Sequence, residues 1–286
     1  MLVRLLGSAP GTCYWYEPNT IWRIGHAYRR HDAATVKDAK PWVVRRIRRL
    51  FLRYQQTHSG ARVIEKSPMN VLRVPFIHAV FPESKIIHIY RDGRANLRSQ
   101  LEQYETFESY TIAQAQTRQH LWNRLHETPW WEWPAYLPRA VGGVLRRYVA
   151  RKPVQWFGLR YPGWKRDLRR LSLTQIAAKQ WVVAVEGALR DLEQLPADAW
   201  MNIRYEELVA SPVEFFARIA AFCGIPTDRA YLQMIEQRVQ KQSVSRWEEE
   251  LDPTILRQAM PIMQPLLMRL GYAAATQESD ARGSGV

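Results

Sequence analysis

Cysteine is nearly absent: Cys13 and Cys223 are the only two in 286 residues, so no disulfide framework holds this chain together. Neither has His or Cys neighbours at metal-ligand spacing, and no metal is expected. No run reaches the roughly 18 apolar residues that span a bilayer. The opening Met1-Leu2-Val3-Arg4-Leu5-Leu6-Gly7 is too short for a secretory signal, so the expectation is a soluble, cytoplasmic protein. Acidic residues are also scarce. Asp and Glu total 27 against 41 Lys and Arg, a net charge of +14. Such a field favours anionic partners: nucleotides, phosphates, acidic glycans, nucleic acid or anionic lipid. No helix-turn-helix, zinc or RNP-type motif accompanies it, and the arginines are spread along the chain. No specific nucleic-acid partner is therefore expected.

What is present is an ordinary share of core-forming residues, 47% hydrophobic, and an unusual 12 tryptophans. The length suits one α/β domain over residues 1–273, with a small, polar and disordered tail at 274–286. Residues 105–170 differ in character, with Trp130-Trp131-Glu132-Trp133-Pro134, Arg146-Arg147 and Arg151-Lys152-Pro153. They read as a helical, aromatic and basic insertion or lid. Elsewhere strands alternate with helices. Residues 1–9 read as the last turns of a helix, 38–57 as a basic amphipathic helix, and Arg62 to Glu65 as a strand. Pro68 to Phe81 reads as a helix and Lys85 to Tyr90 as a buried strand. Further on come a helix near 173–195, a strand from Trp200 to Tyr205, a helix from Pro212 to Cys223 and a last helix over 252–270. This alternation predicts a parallel sheet covered on both faces.

The most informative stretch runs from Lys85 to Ser99. Ile86 to Tyr90 is β-branched and aromatic, Asp92-Gly93 breaks it, and Arg94 to Tyr104 is helix-friendly. Arg91 thus stands at the carboxyl end of a strand, where open α/β sheets bind ligands. Ser99 lies about two helical turns further on. An arginine fork with a hydroxyl suits a phosphate group.

An arginine and a serine so spaced after a strand resemble the 3′-phosphate-binding motif of sulfotransferases, which use 3′-phosphoadenosine 5′-phosphosulfate (PAPS) as sulfuryl donor. Glu65-Lys66-Ser67-Pro68 and Phe81-Pro82-Glu83-Ser84-Lys85 are similar to the block before that motif. Arg204-Tyr205-Glu206-Glu207-Leu208, with Phe222-Cys223-Gly224-Ile225-Pro226, resembles the second half of the core. The resemblance implies a P-loop-NTPase-like sulfotransferase fold with a central parallel sheet flanked by helices. It also implies that Arg91, Ser99 and Tyr205 hold the nucleotide. Ser243-Val244-Ser245-Arg246-Trp247 looks like the C-terminal part of tyrosylprotein sulfotransferases and their bacterial relatives, where Arg246 would meet the nucleotide phosphate.

Tyr14-Trp15-Tyr16-Glu17-Pro18-Asn19 resembles the segment with the catalytic glutamate of the tyrosylprotein enzymes. Transfer to a hydroxyl needs a base for the acceptor's proton. Glu17 is the candidate base, with His26 next in line; a capping or salt-bridging Glu17 is the structural alternative. Lys66 matches the family lysine beside the leaving phosphate oxygen, where a fixed cation favours the transition state. Its alternative is a surface pair with Glu65.

Two features depart from the tyrosylprotein pattern. Gln103 stands four positions past Ser99, where those enzymes carry arginine, and no serine-containing loop precedes Ser243. The resemblance is therefore to the broad superfamily. It leaves the hydroxyl acceptor open among tyrosyl, glycan, lipid and small alcohol. Sulfotransferases cradle the 5′-phosphosulfate in a strand–loop–helix resembling Arg-Ser-Gly-Thr-Thr, and Leu2 to Pro10 looks like the helix that follows it. The expectation is that this loop is missing, so that the chain as given binds PAPS poorly and transfers little or no sulfate. Two other classes stay open: a non-catalytic nucleic-acid-binding protein, and a degenerate homologue that only binds nucleotide.

Overall fold

The computed structural model describes residues 2–114, 128–135, 158–239 and 246–272, without side chains for 105–114. Among the described residues, four short strands order the fold. They are β1 (Thr12–Tyr16), β2 (Arg62–Lys66), β3 (Ile86–Tyr90) and β4 (Trp200–Arg204). The α1 helix (Leu2–Leu6) precedes β1 and α2 (Pro41–Thr57) links β1 to β2. Between β2 and β3 lie a 3₁₀ turn, Pro68–Leu72, and α3 (Val74–Val80). Pro75 accounts for this break in the expected single helix: it has no N–H for a continuing ladder, so the helix restarts with proline in its first turn.

The helix after β3, α4 (Gly93–Gln114), begins one residue earlier than expected. After residues outside the description come α5 (Trp164–Asp167) and the long α6 (Leu173–Leu192). Ser172 caps α6: its hydroxyl accepts from the Gln175 N–H and the Gln175 side chain returns the contact. Tyr205, expected as the end of a strand, is the first residue of α7 (Tyr205–Ala210). Then follow α8 (Pro212–Cys223), α9 (Arg229–Arg238), α10 (Arg246–Glu250) and α11 (Pro253–Arg269). Gly224 ends α8 at φ 60, the left-handed cap that glycine adopts freely. Most of the expected insertion, and the tail from 273, lie outside the described residues.

Both strand pairs are parallel. β1 pairs with β2, setting Tyr16 opposite Lys66, and β3 pairs with β4, setting His88 opposite Asn202. Among the described residues no ladder joins β2 to β3. Both instead border one cavity of about 1930 Å³, lined by Val63, Ile64, Ile87 and Ile89. Their starting ends meet the same feature, the end of α8. The Arg62 guanidinium lies about 3.5 Å from where a Cβ on Gly224 would sit, and the Lys85 ammonium is 5.5 Å from the Phe222 ring centroid. The two pairs thus start from one helix end, and an open interval separates β2 from β3. Val63 and Ile64 of β2 and Ile87 and Ile89 of β3, which border the gap, are half-buried.

Helices cover the pairs. Leu5, Leu6, Ile203, Leu208, Phe216 and Ile219 form one core between α1, β4, α7 and α8. Leu97, Trp181, Val185, Met263 and Leu266 form a second between α4, α6 and α11. A third, around Trp22, Ile47 and Phe76, packs α2 and α3. No helix among the described residues is long and apolar enough to cross a membrane.

Candidate active site

The carboxyl ends of β1 and β2 form the first half of the site. Glu17 follows β1 directly with φ 40, a left-handed backbone that a non-glycine residue adopts only under surrounding constraint. The Asn19 N–H donates to the Glu17 carbonyl at 2.6 Å and closes the turn. Lys66 is the last residue of β2, and its ammonium meets the Glu17 carboxylate at 3.1 Å. The salt-bridging alternative for Glu17 is thus realised, with Lys66 as partner. Glu65 does not take the lysine. Its carboxylate accepts from the Ser67 hydroxyl at 2.5 Å and the Asn70 amide at 2.8 Å. Burial pushes the Glu65 carboxyl above its usual range, against those hydrogen bonds.

Glu17 and Lys66 line the large cavity, and Tyr205 lines it from the β4 side. His26, the second candidate base, does not border it. Its imidazole is buried with neither ring nitrogen hydrogen-bonded. Burial, reinforced by the Arg73 charge, lowers its pKa to about 3.

The second half stands after β3 and β4. Arg91 is half-buried, and burial pulls its guanidinium below the usual range while Tyr205 and Glu206 oppose the shift. The Arg91 carbonyl accepts from Trp181 Nε1 at 3.2 Å. Asp92 then accepts from the backbone N–H of Arg94 at 2.8 Å and from its guanidinium at 2.6 Å. The same guanidinium lies 4.1 Å from the Trp247 ring centroid. Ser99 lies half-buried on α4. Arg91 and Ser99 do not border the large cavity, and neither does Arg246 at the exposed start of α10. Ser243 lies outside the described residues.

Glu206 ties the two strand exits together and had no role in the sequence reading. Its carboxylate accepts the Asp92 N–H at 2.9 Å and the Tyr272 hydroxyl at 2.9 Å. Burial and the Glu206 charge push the Tyr272 hydroxyl well up, and Arg204 stacks 4.0 Å from that ring. Only its place beside Tyr205 in the Arg-Tyr-Glu run marked it. Arg98, also unassigned from the sequence, lies close enough to Arg91 to disfavour its charge and is itself paired with Glu250.

Glu17, Lys66 and Tyr205, at strand carboxyl ends, border a largely apolar cleft that extends along β2 and β3, and a cleft of that size admits a nucleotide-sized anion. Among solved structures, the sulfotransferase domain from the curacin biosynthetic pathway is similar at 15% identity, with 79% of this chain and 68% of that chain covered and a TM-score of 0.47. No curated protein matches. A family model described as the sulfotransferase family matches residues 16–142 and 143–229, well over half of the chain. The matched span contains Glu17, Lys66, Arg91, Ser99 and Tyr205, and on this match the chain belongs to the sulfotransferase family.

Proposed function

We propose that this protein transfers a sulfuryl group from PAPS to a hydroxyl acceptor. The observation that carries the reading is the Glu17–Lys66 pair on adjacent strand ends, opening on the cavity that Tyr205 also lines. The acceptor oxygen attacks sulfur and gives its proton to the Glu17 carboxylate. The bond between sulfur and the phosphate oxygen breaks, and the Lys66 ammonium meets the negative charge gathering on that oxygen. In the free protein these side chains neutralise each other. An exposed pair of this kind is worth only about 0–1 kcal/mol, so substrate separates them at little cost.

The nucleotide lies along the strand exits, with Tyr205 facing it and Arg91, Ser99 and Arg246 taking its phosphate. The residues present fit that part: Arg91 is half-buried, and its turn is held by Trp181 and Glu206.

Transfer of radiolabelled sulfate from PAPS to a panel of hydroxyl acceptors, run beside nucleotide-binding calorimetry, tests the proposal. Slow transfer with saturable binding is expected. Neither binding nor transfer from folded protein would refute it.

A further inference from the structure

Residues 28–40, 130–135 and 158–170 form one surface remote in sequence but joined by hydrogen bonds. The Tyr28 hydroxyl donates to the Trp131 carbonyl at 3.2 Å, and Trp164 Nε1 donates to the Arg30 carbonyl at 2.7 Å. The Arg160 N–H donates to Asp32 at 2.9 Å, and the Gly25 N–H to Glu132 at 2.6 Å. Trp42, at the start of α2, meets Trp131 edge-on with ring centroids 6.1 Å apart.

Charge is sorted across this surface. All four of its acids, Asp32, Asp38, Glu132 and Asp167, are buried. Asp32 pairs with Arg23, Asp38 with Arg29, and Asp167 with Lys179, while exposed Arg166 reaches Asp167 more distantly at 3.8 Å. The charges left outside are all positive. Arg30, Lys37 and Lys40 are exposed. Lys165, Arg166, Arg169 and Arg170 are exposed too, and among the described residues they line a shallow depression of about 270 Å³. The same hydrogen-bonded surface carries exposed apolar groups, with Trp130 71% and Trp131 51% exposed, and Tyr28, Val36 and Trp133 exposed as well.

From this arrangement we infer that the surface docks on anionic phospholipid bilayers. Indole rings favour the interface between water and lipid, and basic side chains next to them add attraction for anionic headgroups. The four-cation depression takes a headgroup phosphate. The rings are fanned, not aligned: Trp130 and Trp131 stand at 82°, Trp131 and Trp42 at 64°. A wedge between headgroups suits that geometry better than a row of stacked bases, which needs parallel platforms.

Flotation of the 286-residue chain with vesicles tests the inference. It should float with phosphatidylcholine vesicles containing phosphatidylglycerol, not with phosphatidylcholine alone, and high salt should release it. Arg166→Glu with Arg169→Glu and Arg170→Glu should lower partitioning roughly 10²-fold. Trp130→Ala with Trp131→Ala should lower it about tenfold and abolish quenching of tryptophan fluorescence by brominated lipid. Arg229→Glu with Arg238→Glu, on α9, should change nothing. Circular dichroism checks that each variant folds. Failure of folded wild-type protein to float, or equal losses from the α9 control, would overturn the inference. Tighter binding to heparin or a single-stranded oligonucleotide, through the same residues, would overturn it in favour of a soluble polyanion.

Discussion

Glu17 and Lys66 are 49 residues apart in sequence, yet their side chains meet at 3.1 Å. The register of two parallel strands causes this. Tyr16 faces Lys66 in the ladder, so the residue leaving β1 and the residue ending β2 emerge side by side.

In a catalytically competent form of the protein, Glu17→Gln should leave nucleotide affinity nearly intact and cut turnover by roughly 10²–10⁴-fold, because the replacement keeps shape and removes the base. Lys66→Met should lower turnover without abolishing binding, since its charge serves the leaving oxygen. Steady-state rates beside calorimetric affinities check both. Unchanged turnover in Glu17→Gln would move the base elsewhere.

Glu206→Ala should weaken nucleotide binding although the residue is only a positioning group. It removes the acceptor for the Asp92 N–H and the Tyr272 hydroxyl, freeing the turn that carries Arg91. Each buried donor left unpaired costs about 1–3 kcal/mol. Urea unfolding should show the stability loss, and calorimetry a weaker affinity. Glu206→Gln, which keeps an acceptor oxygen, should recover part of both.

Much of this architecture is legible in the sequence, and the failures have a common physical origin. Ile86 to Tyr90 declares a strand because β-branched residues end at Asp92-Gly93, and α8 declares its end through Gly224. Local chemistry decides both. β1 did not announce itself: Thr12–Tyr16 is short and lies inside a motif read for its glutamate. Residue spacing cannot reveal which strands pair, so the contact of Lys66 with Glu17 rather than Glu65, and the cavity between β2 and β3, emerge only in three dimensions. The α9 helix has a weak sequence signal, its start marked only by Asp228, which caps it by accepting from the Tyr231 N–H.

His26 makes the fold sensitive to acid. Its folded pKa is lowered to about 3, against an unfolded value of about 6.5. Below pH 6.5 the unfolded chain binds a proton that the folded protein refuses, so stability falls as pH drops from there toward 3. Between pH 7 and 5 the loss from this one group is about 2 kcal/mol. Urea midpoints at the two pH values should converge in His26→Gln, which keeps a polar side chain but does not titrate. An undiminished pH dependence in that variant would contradict the assignment.

The most direct test of the nucleotide site is calorimetric titration of 3′-phosphoadenosine 5′-phosphate, with adenosine 5′-monophosphate as comparison, into wild type and Arg91→Ala. Wild type should bind the bisphosphate more tightly than the monophosphate. Arg91→Ala should erase that preference, losing roughly 1.5–3 kcal/mol for one charged hydrogen-bond partner, and Ser99→Ala should lose less. A folded Arg91→Ala protein with wild-type affinity and preference for the bisphosphate would contradict the assignment.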